Sequence, residues 1–332
     1  MSSELNDTSP VPSPTTPVPS LDDPKFDYAD GDVVFRSSDG TQFHVHKLIL
    51  KTASPVFGNM FSVPQPPPSS IKRDQTTQEG IPIVVTQEDK DALTMLFGFC
   101  YPGPWPSLRN FNEVTTAIVL KKKFQLDFIE DYLLRRLAVW ADTYPERVFA
   151  IGWTHEWKDA VMAGAKATLR RPILSSLDER IEEFSVIPAD AAWRLLAYHQ
   201  ACSKCCVPLA DRHWVTADDV CTPLGVEITP SLPTSSYCSC ITNFRRSGCP
   251  PPSGLRLARW FATLMDTARD TLRITPHPSL VTSLTVIAPS LTEARSCQKC
   301  SDTAAAALDA FTRRFSEKLA SAISQIDIET PF

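Results

Sequence analysis

Glycine is scarce in this chain, with 11 in 332 residues. Loops that cradle phosphate spend several glycines within a few positions, because the backbone must approach the ligand closely. No Gly-rich phosphate loop, no His-Glu-x-x-His and no Gly-x-Ser-x-Gly occurs in the sequence. Long hydrophobic runs are lacking too: no stretch approaches the roughly 20 apolar residues that cross a bilayer. The amino terminus carries Pro10, Pro12, Pro14, Pro17 and Pro19 but no apolar core like that of a signal peptide. An intracellular protein of the cytoplasm or nucleus, without membrane contact, is expected. Positive charge is not in excess. A net charge of −5 removes the attraction that drives most nucleic-acid binding. Lys121-Lys122-Lys123, Arg135-Arg136, Arg170-Arg171, Arg245-Arg246 and Arg313-Arg314 are scattered and read as solvated helix faces. A nucleic-acid partner and an enzyme are both argued against, a cysteine hydrolase using one of the six histidines being the residual enzymatic reading.

What the chain does have is a 43% hydrophobic content, enough for one large domain or two ordinary ones. Its opening is patterned. Asp32-Val33-Val34-Phe35 and Gln42-Phe43-His44-Val45-His46-Lys47 flank Asp39-Gly40, a dipeptide suited to the positive φ angles of a tight turn, so a hairpin is predicted. Ser54 can cap a helix and Pro55 suits its first position, which divides the apolar segment from Lys47 into two short helices. Val56, Phe57, Met60 and Phe61 then share one face. The combination of Asp-Val-x-Phe, Phe-x-x-His-Lys and Ser-Pro-x-Phe-x-x-Met-Phe resembles the opening of a BTB/POZ domain. The resemblance implies an α+β fold, a short β-sheet flanked by a helical cluster, and a protein-interaction module.

Residues 1 to 24 and 62 to 80 are rich in Pro, Ser and Thr and are expected to be mobile, the second as an insertion within the domain. Ile81 to Val85 reads as a strand. From Glu88, Ala92, Leu93, Leu96, Phe97 and Cys100 mark a helix that stops at Tyr101-Pro102-Gly103-Pro104. Phe99-Cys100-Tyr101-Pro102-Gly103 resembles the helix stop of a large group of fungal BTB proteins. Val114, Ile118 and Val119, with Phe124 and Leu126, suggest a further helix, and 128 to 140 another. The BTB domain is therefore placed at 25–140, followed by a mostly helical region at 141–332. There Pro145 opens a helix with Val148, Phe149, Ile151 and Trp153, and 190 to 201 carries Trp193, Leu195, Leu196 and Tyr198. Leu308, Phe311, Phe315, Leu319, Ala322 and Ile326 form an amphipathic stripe. Between these helices, 202 to 254 reads as a Cys-, Pro- and Ser-rich loop. The seven tryptophans read as core or interface residues.

Ten cysteines without a secretion signal suggest reduced thiols or metal ligands. Cys202, Cys205 and Cys206 form one group, Cys238 and Cys240 a second, Cys297 and Cys300 a third. Matching fungal BTB proteins tend to carry cysteine pairs at the last two, so Cys238, Cys240, Cys297 and Cys300 are the candidate ligands of a structural zinc, with buried thiols as the competing reading. The resemblance also implies a charged pocket of Asp32 and Lys47 near a dimer interface, with Lys in place of the more familiar Arg and hence without its bidentate geometry. His44 and His46 are expected to pack or cap rather than to bind metal. The implied role is an interaction scaffold or adaptor with protein partners, a second copy in a homodimer among them. A substrate adaptor of a cullin-type ubiquitin ligase and a transcriptional regulator are the alternatives. Ser62-Val63-Pro64-Gln65-Pro66 lacks the acidic residue that cullin-binding BTB domains often carry there, and no paired Cys-Cys and His-His finger pattern is present.

Overall fold

A computed structural model describes residues 26–63, 77–78, 80–173, 180–211, 225–227, 241–242 and 255–332. The chain forms two compact units, Met1–Leu133 and Leu134–Phe332.

In the first unit β1 (Val33–Arg36) and β2 (Gln42–Val45) pair antiparallel, with Val33 opposite Val45 and Arg36 opposite Gln42. The turn between them needs the positive φ that Gly40 adopts, +91°. β3 (Thr77–Gln78) and β4 (Ile81–Val85) form a second hairpin, and β4 runs parallel to β1, giving the order β2-β1-β4-β3. Val33, Val34 and Phe35 are all buried, as a central strand covered on both faces requires. β3 falls within the stretch 62 to 80 expected to be a mobile insertion. Thr77 and Gln78 are paired strand residues, turned by Gly80 at φ +86°, whereas residues 1–25 and 64–76 lie outside the described residues.

Helices cover the sheet. α1 (Lys47–Ala53) and α2 (Pro55–Ser62) are separated by extended Ser54, whose buried hydroxyl accepts the Phe57 N–H at 3.3 Å and donates to the Phe124 carbonyl at 2.6 Å. One hydroxyl thus starts α2 and ties it to α4 (Phe111–Phe124). The Phe57 ring packs on Phe35 and Phe124, and Phe97 of α3 (Lys90–Cys100) packs edge-on against Phe35 and Phe43. Asp89 caps α3 through the Ala92 N–H at 2.8 Å, and Asn110 caps α4 through that of Glu113 at 2.9 Å. Val119, expected on the buried face of α4, is 62% exposed. The core positions are Val114, Ala117, Ile118 and Leu120. A short 3-10 turn at Asp127–Ile129 leads into α5 (Glu130–Trp140), within which the two units divide.

The second unit begins with an unusually close helix pair, α6 (Pro145–Thr154) and α7 (Lys158–Thr168). A Cβ on Gly152 would lie 2.6 Å from the Val161 nitrogen, and one on Gly164 would lie 2.5 Å from the Phe149 nitrogen. Each helix offers its glycine to the other's backbone. A 3-10 turn at Glu182–Ser185 precedes α8 (Ala189–Leu209). Strands β5 (Gly225–Glu227), β6 (Ile241–Thr242) and β7 (Leu255–Ala258) form a small sheet ordered β5-β7-β6. α9 (Arg259–Ile274), α10 (Leu284–Arg295), α11 (Gln298–Ser301) and α12 (Ala304–Ile323) complete the unit. Its core joins Phe149, Leu195, Trp260, Phe261, Met265, Phe311, Phe315 and Leu319. The expected loop from 202 is corrected here: α8 continues to Leu209, because Cys202 and Cys206 extend its buried face by about two more turns. No helix among the described residues is long and apolar enough to cross a membrane.

Candidate interaction site

The surface that includes Asp32 and Lys47 is built by the segment entering β1 and by the first turn of α1. The Asp32 N–H donates to the Val45 carbonyl at 3.1 Å, which holds the residue against the end of β2. Its carboxylate then accepts the backbone N–H of Lys47 at 2.7 Å. α1 has no side-chain cap of its own at His46, so Asp32 supplies one from across the hairpin, and its negative charge suits the positive end of the helix. The sequence-predicted pair is therefore brought together through the lysine's main chain. Asp32 is exposed, Lys47 is half-buried, and among the described residues the Lys47 ammonium makes no ion pair with Asp32. A backbone-directed cap does not depend on whether position 47 is Lys or Arg.

Both histidines are held in polar contacts. His44 Nδ1 lies 2.5 Å from an Asp27 oxygen. At His46, the backbone N–H donates to the Tyr101 hydroxyl at 2.8 Å, that hydroxyl lies 2.9 Å from His46 Nδ1, and His46 Nε2 lies 3.1 Å from an Asp30 oxygen. The Tyr101 hydroxyl and the Asp30 carboxylate thus hold the two ring nitrogens of His46 from opposite sides. Burial raises the Tyr101 phenol to about 12, so it stays a donor, and Tyr28 stacks on its ring at 5.2 Å. The Tyr101 that ends α3 thus locks the start of α1 in place. Beside it, Leu48 is 75% exposed, as the apolar residue following Lys47 on α1.

In the second unit Cys202, Cys205 and Cys206 sit on α8, and burial pushes the Cys202 thiol up to about 12. Cys297 precedes α11 and Cys300 lies within it, buried beside Trp260. Cys238 and Cys240 lie outside the described residues, so half of the candidate zinc set is placed. Of the tryptophans, Trp153, Trp157 and Trp260 are buried, whereas Trp193 is 68% exposed. The reading of Arg170-Arg171 as a solvated face is corrected at Arg171, which pairs with the buried Glu146. Sequence spacing gave no sign of that pair, because 24 residues and a helix hairpin separate its members.

β1 lies at the centre of its sheet beneath the helices, and the start of α1 is capped from across the hairpin. Residues 27–137 match the family model of the BTB/POZ domain. This part of the chain is a BTB/POZ domain, which supports a protein-interaction role. No curated protein matches the chain.

Proposed function

We propose that the protein is a scaffold or adaptor that self-associates through its BTB/POZ domain at residues 25–140, while the helical region at 141–332 presents a separate surface to a further protein. The observation that supports self-association is Leu48. Leu48 is three-quarters exposed on the first turn of a capped, well-anchored helix, beside half-buried Ile49, and a two-fold contact through α1 would cover both. Exposed Asp32 and the Lys47 ammonium would flank that surface and favour a copy in which their signs are exchanged, as a two-fold interface allows.

Sedimentation of the intact chain over a concentration series tests the reading. The wild type is expected to be dimeric at micromolar concentration and Leu48→Glu monomeric, with unchanged helix content because the side chain leaves the core untouched. A wild type that stays monomeric well above micromolar concentration overturns self-association and leaves Asp32 as a helix cap.

A further inference from the structure

At the amino-terminal end of α6 a cavity of about 440 Å³ opens between Tyr144, Glu146 and Arg147 on one side and Arg171, Arg180 and Glu183 on the other. Its shape follows from Gly164, which lets α7 approach the first turn of α6 and delivers Arg171 to Glu146. Three arginines and three glutamates line it, so its formal charge is zero.

The hydrogen bonds within it are incomplete in a specific way. Arg171 Nη2 takes one oxygen of Glu146, and Arg147 takes one oxygen of Glu183 with both Nε, at 2.8 Å, and Nη2, at 2.6 Å. Among the described residues, Glu146 Oε1, Glu183 Oε2 and Arg171 Nε are left buried without a hydrogen-bond partner, and Glu146 is only 2% exposed. Buried polar atoms in this state are costly unless something completes them. Two acceptors and one donor therefore lack a hydrogen-bond partner. An anion would meet two carboxylate oxygens there, and a cation would add charge to a set already balanced and crowded with guanidinium groups. A planar neutral group with two N–H donors and one acceptor matches both the count and the charge.

We infer that this cavity is a binding site for a neutral primary carboxamide, either a free amide or the side chain of Gln or Asn on a partner protein. Glu146 and Glu183 accept its two N–H bonds, and Arg171 Nε donates to its carbonyl. Tyr144 and Ile181 also line the cavity.

Saturation-transfer NMR on the full chain with propionamide, propionate and propylammonium tests the assignment. Propionamide alone is expected to receive saturation. Glu146→Gln removes half of a buried pair and can unfold the unit, so Glu183→Gln is the decisive variant. Its remaining oxygen still serves Arg147, but an NH2 replaces the acceptor, and propionamide affinity should fall about tenfold, as loss of one charge-assisted hydrogen bond implies, with no change in helix content. Tighter binding of a Gln-bearing peptide than of its Glu counterpart identifies a partner side chain as the source, and no gain over propionamide identifies a free amide. Equal saturation of all three probes, none at tens of millimolar, or unaltered affinity in Glu183→Gln overturns the inference and leaves ordered water as the occupant.

Discussion

Removing the hydroxyl of Ser54 should destabilise the BTB/POZ domain far more than deletion of one oxygen suggests. Ser54→Ala deletes the cap of α2, a loss of about 1 kcal/mol, and it strands the Phe124 carbonyl, now bonded at 2.6 Å, at a further cost of about 1–3 kcal/mol. The site is fully buried, so water cannot replace the donor without opening the structure. The combined loss is about 2–4 kcal/mol, a sizeable part of the stability of an ordinary domain. Native-state hydrogen exchange gives a readout local to this unit, since the amides of β1 and β2 are expected to exchange only through its opening. Their exchange should quicken by about 30- to 1000-fold, at tenfold for each 1.4 kcal/mol. Ser62→Ala is the control: its hydroxyl bonds the Gly58 carbonyl on an exposed turn, and its loss should stay within about 0.5 kcal/mol. Exchange in Ser54→Ala less than about threefold faster than wild type would refute the idea that one hydroxyl joins the two helices.

Asp32→Asn keeps an oxygen for the Lys47 N–H and should leave stability nearly unchanged, whereas Asp32→Ala should cost about 1 kcal/mol in urea unfolding. Asp39 is no neutral comparison despite its exposure, because it bonds Ser37 and the Lys90 N–H at the start of α3. Asp39→Ala should therefore lower the unfolding midpoint, which thermal melts will show. Gly164→Ala forces a Cβ to 2.5 Å from the backbone of α6 and should cost about 1–3 kcal/mol by calorimetry, with loss of the cavity's amide binding. Burial raises the Cys100 thiol and the Tyr101 phenol, each to about 12, from ordinary values of 9.0 and 10.0. Their contributions are complete below the ordinary values and are lost as pH rises toward 12, so the urea midpoint should fall above about pH 9, less steeply in Tyr101→Phe. If Cys238, Cys240, Cys297 and Cys300 hold zinc, elemental analysis of protein prepared without chelator should find about one zinc per chain, lost in Cys297→Ser; stably folded metal-free protein would favour buried thiols.

The first domain was largely legible because its signals are local. Asp39-Gly40 marks the turn, Ser54-Pro55 divides two helices, and Tyr101 with the following prolines ends a third, each within a few residues of the element it controls. Lys47 was legible as a neighbour of Asp32, but the use of its N–H instead of its ammonium was not, since backbone donors look alike at every position. α8 was cut short because Cys, Ser and Pro suggested a loop, whereas burial of Cys202 and Cys206 against apolar neighbours carried the helix onward. The pattern of α9 was available in Trp260, Phe261, Leu264, Met265, Ala268 and Leu272, which follow helical spacing. Glu146 and Arg171 could not be paired from sequence, because their meeting depends on the close approach of α6 and α7 at Gly152 and Gly164.

The strand order β2-β1-β4-β3 also sets a timetable for synthesis. β1 meets β2 almost at once, but its other edge stays open until the ribosome has made α1, α2, the proline-rich stretch and finally Ile81–Val85. At about 5–20 residues per second that interval lasts a few seconds. Throughout it, the strand that will be the most buried of the finished sheet presents unpaired N–H and C=O groups to any neighbouring chain on the same message. Every residue added between α2 and β4 prolongs that exposure, so shortening this stretch should raise the yield of soluble protein during translation even where it leaves the finished domain no more stable.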